Sequence, residues 1–121
     1  MGGELFVMDD GWFGDKYPRK NDSSSLGDWV VDKNKLPNGI EGLLSDAKKH
    51  GVKFGIWIEP EMANTTSELY EKHPDWVLKA SERDVVLGRG GTQVVLDLAN
   101  PAVQDFVFGV VRQPDDLLIL K

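Results

Sequence analysis

Val52 to Ile58 reads VKFGIWI, a nearly unbroken apolar run between Gly51 and Glu59-Pro60-Glu61. A strand with one wet face alternates apolar and polar residues, so a run with so little interruption predicts a strand covered on both faces. Pro60 ends it, because proline cannot donate to a sheet ladder. Just upstream, Pro37-Asn38-Gly39 opens a helix in which Ile40, Leu43, Leu44 and Ala47 recur at helical spacing. Lys48, Lys49 and His50 fall at the negative end of its dipole, and Gly51 is its C-terminal cap. Leu5 to Met8 is a second short apolar run of the buried-strand kind. Strand, helix and strand in that order predict a parallel α/β arrangement.

The remaining segments extend the pattern. Gly11 to Leu36 is rich in Gly, Ser, Asn, Asp and Pro and reads as loop, with Asp28–Asp32 as a brief extended piece. Ordered loops of that length usually carry function. Ser67 caps a short helix that runs through His73 and ends at Pro74. Val94–Leu98 is a further apolar stretch, interrupted by Asp97. Asn100-Pro101 starts a helix over Ala102–Arg112 that buries Val103, Phe106, Val107 and Val110, and Leu117–Leu120 begins another strand. A complete (β/α)8 barrel takes about 250 residues, so 121 residues predict one domain at most, or part of a larger one, and could supply only a sector of such a barrel.

Composition excludes more than it assigns. A net charge of −6 argues against nucleic acid, whose phosphates it would repel. No apolar run approaches the roughly 20 residues that span a bilayer. MGGELF carries no basic region followed by an apolar one, so no secretion signal is expected and the predicted location is cytoplasmic. Cysteine is absent, and with it disulfides, thiol nucleophiles and thiolate metal sites.

In parallel α/β folds ligands sit beyond the carboxyl ends of the strands. Asp9, Asp10, Trp57, Glu59 and Glu61 are predicted there. Carboxylates at a strand end bind hard metals, act as general acid or base, or accept hydrogen bonds from hydroxyls. The chain has four tryptophans, Trp12, Trp29, Trp57 and Trp76. A flat ring beside charged acceptors suits a sugar, which offers C–H faces to stack and hydroxyls to donate. A metal site more often brings histidine, and both His50 and His73 are placed at helix ends, so carbohydrate is preferred and no metal or other cofactor is expected. Structural readings stand beside these: Asp-Gly is itself a turn signal, Glu59 or Glu61 fits a barrel salt bridge, Trp29 and Trp76 fit the core, and Arg89 fits a solvated loop charge.

DDGWFG, SSSLGDWVVDKNKLPNGIEGL, GVKFGIWIEPEM, ELYEKHPDWVL and QVVLDLANPAVQDFV together resemble the bacterial α-galactosidases of glycoside hydrolase family 36. The blocks keep the family's order from Leu5 to about Val111. The resemblance implies a fragment of the family's catalytic (β/α)8 barrel, a partial TIM barrel of about two to three βα units, with a homo-oligomeric parent and retaining hydrolysis of terminal α-linked galactose in melibiose- and raffinose-type galactosides. It also implies that Asp9 and Asp10 hold galactose hydroxyls around C4 and C6, that Trp57 lines the pocket, and that Trp12 forms a wall beside the acids. The family arginine before the QxVLD segment has Arg89 as its nearest candidate, one residue further from Gln93 than the pattern. The family nucleophile, the aspartate of a KWD motif, and its acid/base aspartate have no match in these residues. Arg112–Asp116 departs from the family pattern, and Leu118–Lys121 stands where KWD would begin. The resemblance thus implies a sector that binds galactose and is inactive by itself. A carbohydrate-binding module without catalysis is the alternative, and a metal-dependent hydrolase is a third reading.

Overall fold

The VKFGIWI run forms the middle strand of a parallel sheet. In the computed structural model, which describes residues 4–78, 87–88, 91–112 and 117–120, strand β1 (Leu5–Met8) is followed by helix α1 (Gly39–Lys49) and strand β2 (Lys53–Trp57). Then come β3 (Met62–Asn64), α2 (Glu68–Lys72), a single 3-10 turn at Pro74–Trp76, β4 (Leu87–Gly88), β5 (Gln93–Val95), α3 (Pro101–Val111) and β6 (Leu117–Leu120). The parallel sheet has the order β1-β2-β6.

Register sorts its side chains. Phe54 lies between Phe6 and Leu117, and Ile56 between Met8 and Ile119. These point to one side, where Phe54, Ile56, Ile58 and Leu117 form a buried cluster with Trp12, Phe13 and Leu26. Ile40, Leu43, Leu44 and Ala47 of α1 pack against that cluster, which is why their helical spacing was legible. Leu5, Val7, Gly55, Leu118 and Leu120 alternate onto the opposite side. That face is apolar but open: Leu5 is 46% exposed, Val7 43% and Leu118 40%. Within β2 itself Phe54, Gly55 and Ile56 are buried and Trp57 half-buried, so the expected cover is met along most of that strand, with Lys53 exposed. On the helix side Phe6 of β1 remains exposed.

Helix ends follow the predicted chemistry. Gly51 adopts φ +66°, the left-handed turn that ends α1. The Ser67 hydroxyl accepts from Tyr70 N at 3.1 Å, and Asn100 Oδ1 accepts from Ala102 N at 2.9 Å. Asn38 precedes α1 without a side-chain cap. The Val94–Leu98 stretch departs from expectation. Only its first part is strand, and β5 pairs antiparallel with β3 and β4 in a separate small sheet. Val94 and Leu96 then face Ala63, Leu69, Val77 and Val103 in a second buried cluster. Of the predicted face of α3, Val103 is fully buried, while Phe106 and Val107 pack on this second cluster and Val110 on the first. Among the described residues no helix is long and apolar enough to cross a membrane.

Candidate functional site

The chain leaves β1 straight into Asp9 and Asp10. Asp10 N donates to Asp9 Oδ1 at 2.8 Å, and both residues are exposed. Asp10 is far from free. Arg19 Nε donates to its Oδ1 and Nη2 to its Oδ2, both at 2.9 Å, in a two-pronged fork. The guanidinium is buried, with only 4% of the side chain exposed against 36% for Asp10. Its Nη1 donates to Ser24 O at 2.7 Å and to Asn64 Oδ1 at 3.0 Å, and Nη2 lies 3.5 Å from Asp22 Oδ1. Lys35 Nζ closes the loop over this cation by donating to Gly11 O and Arg19 O, each at 2.6 Å. A carboxylate has about four lone-pair positions, so the fork leaves acceptor capacity on Asp10 for a ligand hydroxyl.

Arg19 and Asn64 are the residues that sequence reasoning missed. Arg19 sits between lysines 16 and 20 in a polar loop and reads as one more solvated charge. Asn64 ends a three-residue strand too short to recognise. Only the fold, which joins residues 45 apart, gives them their role.

Beside the acids lies an aromatic cluster. Phe13 is fully buried, with ring centroids 4.5 Å from Trp29, 5.3 Å from Trp12 and 6.4 Å from Trp57. Trp57, the last residue of β2, is half-buried, and Trp29 crosses it edge-on at 6.0 Å. Trp12 is part of the core. It is 7% exposed, belongs to the core cluster, and donates its indole N–H to Trp57 O at 2.9 Å. That bond ties Trp12 to the end of β2, and its ring also lines an apolar cavity between α1, α3 and the sheet. Trp29, expected in the core, packs against it. Trp76 packs on the second cluster and stacks on His73 with centroids 3.8 Å apart.

Glu59 and Glu61 follow β2, where their carbonyls accept from Met62 N and Leu96 N. Arg89 lies outside the described residues. Among the described residues no three His, Asp or Glu side chains converge on a point that could hold a metal ion. A cavity of about 560 Å³ lies between α1, α3 and the helix side of the sheet. Chiefly apolar residues such as Trp12, Trp29, Ile40, Leu44 and Phe106 line it, and neither Asp9 nor Asp10 does.

The long loop that carries these residues is pinned by Asp28. Its Oδ2 accepts from Glu68 N at 2.8 Å and its Oδ1 from Leu69 N at 2.9 Å, at the start of α2. Burial pushes the Asp28 carboxyl above its ordinary value of 3.8, and the two N–H groups only partly oppose the shift. The folded state therefore holds this proton more tightly than the unfolded chain. The contribution of Asp28 to stability is greatest below pH 3.8 and falls as pH rises from there through the raised folded value. Asp28→Asn should flatten that slope, and Asp28→Ala should cost about 1–2 kcal/mol by orphaning both amides. Urea midpoints of the three proteins across pH 3–7 measure both effects.

A family profile described as Melibiase matches residues 1–117. The chain belongs to the melibiase family. Its melibiase relatives include alpha-galactosidase C of Emericella nidulans, 46% identical over 115 residues that cover 88% of this chain and 15% of that protein. The crystal structure of the alpha-galactosidase from Lactobacillus brevis matches with a TM-score of 0.79 and 47% identity, over 89% of this chain and 14% of that one. A variant of the Geobacillus stearothermophilus alpha-galactosidase AgaA, solved in complex with raffinose, gives a TM-score of 0.79 and 46% identity over 89% and 14%. This melibiase chain thus spans about one seventh of the length of these relatives. They come from a fungus as well as bacteria, a wider range than the bacterial resemblance suggested.

Proposed function

We propose that these residues form a sector of the (β/α)8 barrel of a retaining α-galactosidase and supply part of its galactose-binding site. Asp9 and Asp10 accept hydrogen bonds from the sugar's hydroxyls around C4 and C6. Trp57 lines the pocket next to them, and Arg89 completes the polar set. The observation that carries the reading is the pair of adjacent carboxylates at the carboxyl end of a parallel strand, one of them clamped in place, in a chain of the melibiase family.

The sheet supports the barrel. Its parallel strands follow one another in chain order, and its second face is apolar and open, as suits strands whose inner face meets other staves across a barrel axis. Residues 1–121 on this reading belong to one catalytic domain. Raffinose bound to a relative with 46% identity supports a galactoside oligosaccharide as substrate. The axial C4 hydroxyl separates galactose from glucose, so fixed charged acceptors there provide the discrimination. Retention needs two carboxyl groups about 5–5.5 Å apart, and neither role falls to a carboxylate of these residues.

Kinetics of the barrel-length protein on chromogenic α-galactoside and α-glucoside test the proposal. Galactoside should be strongly preferred. Asp9→Asn removes a charge-assisted acceptor worth roughly 1.5–3 kcal/mol, so kcat/KM for the galactoside should fall by about 10- to 150-fold. Equal rates on the two sugars, or an Asp9→Asn enzyme as fast as the parent, would end the reading.

A further inference from the structure

Arg19 makes more directed contacts than a loop cation needs. Two N–H groups grip Asp10, Nη1 reaches Ser24 O and Asn64 Oδ1, and Nη2 approaches Asp22. The guanidinium also lies over the Phe13 ring, 5.4 Å from its centroid. Its position is therefore set from the long loop, from β3 and from the aromatic cluster together. Asn64, fully buried, fixes it in turn, because its amide also accepts from Leu26 N and donates to Asp22 O and Thr92 O. Asp9, by contrast, receives the N–H of Asp10 on one oxygen.

We infer that Arg19 is a positioning residue: its fork fixes the plane of the Asp10 carboxylate so that the remaining lone pairs meet one galactose hydroxyl. The inference rests on the galactose reading of Asp10 above. A free aspartate rotates about its terminal bond, and each hydrogen bond to a ligand must stop that rotation. A carboxylate already clamped has lost that freedom before the sugar arrives. Lysine in place of Arg19 keeps the charge but presents no planar fork.

The test compares wild type with R19K in the barrel-length protein, on an α-galactoside and on its 4-deoxy and 6-deoxy analogues. Wild type should prefer the parent sugar over one of these analogues by at least tenfold in kcat/KM. R19K should shrink that ratio at least fivefold, through a loss confined to the parent sugar. A structural role alone would slow all three substrates alike and leave the ratio intact, and that result overturns the inference while the galactose reading stands. A wild type that distinguishes neither analogue overturns the galactose reading, and the inference with it. Should R19K fail to fold, wild type with 15N-labelled arginine gives a second readout. The Arg19 Nε–H resonance should shift saturably with galactose and stay still with the analogue that lacks the hydroxyl held by Asp10. A resonance unmoved by saturating galactose overturns the inference.

Discussion

Asn64→Ala is expected to destabilise the protein by about 3–5 kcal/mol, among the largest effects of any single change in these residues. Asn64 is wholly buried and makes four hydrogen bonds through its side chain. Truncation leaves the Leu26 amide without its acceptor and the Asp22 carbonyl without this donor. The Thr92 carbonyl keeps Thr65 N–H, and Arg19 keeps Ser24 O. A buried amide left without a partner costs about 1–3 kcal/mol, and the void adds to it. The drop in urea midpoint, at constant m-value, measures the sum. Because Asn64 also holds Arg19, the proposed galactose reading adds that the variant should bind galactoside more weakly even where it remains folded. A change below about 1 kcal/mol would show that the four bonds are not made together.

Phe13→Ala should cost a similar amount, about 3–5 kcal/mol, for a different reason. Its ring is fully buried among Trp12, Trp29 and Trp57, and the Arg19 guanidinium lies over it. Removal opens a cavity whose walls are rigid indoles, which collapse poorly, and it also gives up the aromatic pairing. Phe13→Leu should recover part of the loss by refilling volume without the ring contacts. Near-UV circular dichroism reports the tryptophans directly. An unchanged spectrum in Phe13→Ala would contradict the packing described for them.

Much of the frame was legible because it is written locally. Strands β1 and β2 announce themselves as apolar runs, α1 by its spacing, and α2 and α3 by Ser67 and Asn100, whose side chains bond amides two or three residues on. The small antiparallel sheet was not legible. A strand of three residues cannot display an alternation, and β5 owes its place to β3 roughly 30 residues earlier in the chain. At the site, the location of Asp9, Asp10 and Trp57 at strand ends followed from the run that precedes each. The direction of Trp12 did not, since a tryptophan two residues beyond an aspartate pair reads alike whether it turns toward ligand or core. Here the carbonyl of Trp57 decides it by accepting the indole N–H. Arg19 and Asn64 were illegible because burial of a polar group makes sense only once its distant partners are known.

On the galactose reading proposed above, the unequal holding of the two acids bears on how such a protein can change its sugar. Asp10 is the main counter-charge of a cation sealed in the interior, so its loss would strand that cation and weaken the loop with it. Among the described residues Asp9 carries no comparable duty. A lineage drifting toward another hexose can therefore sample replacements at position 9 while the scaffold stays sound, whereas position 10 is closed to it until Arg19 has gone first.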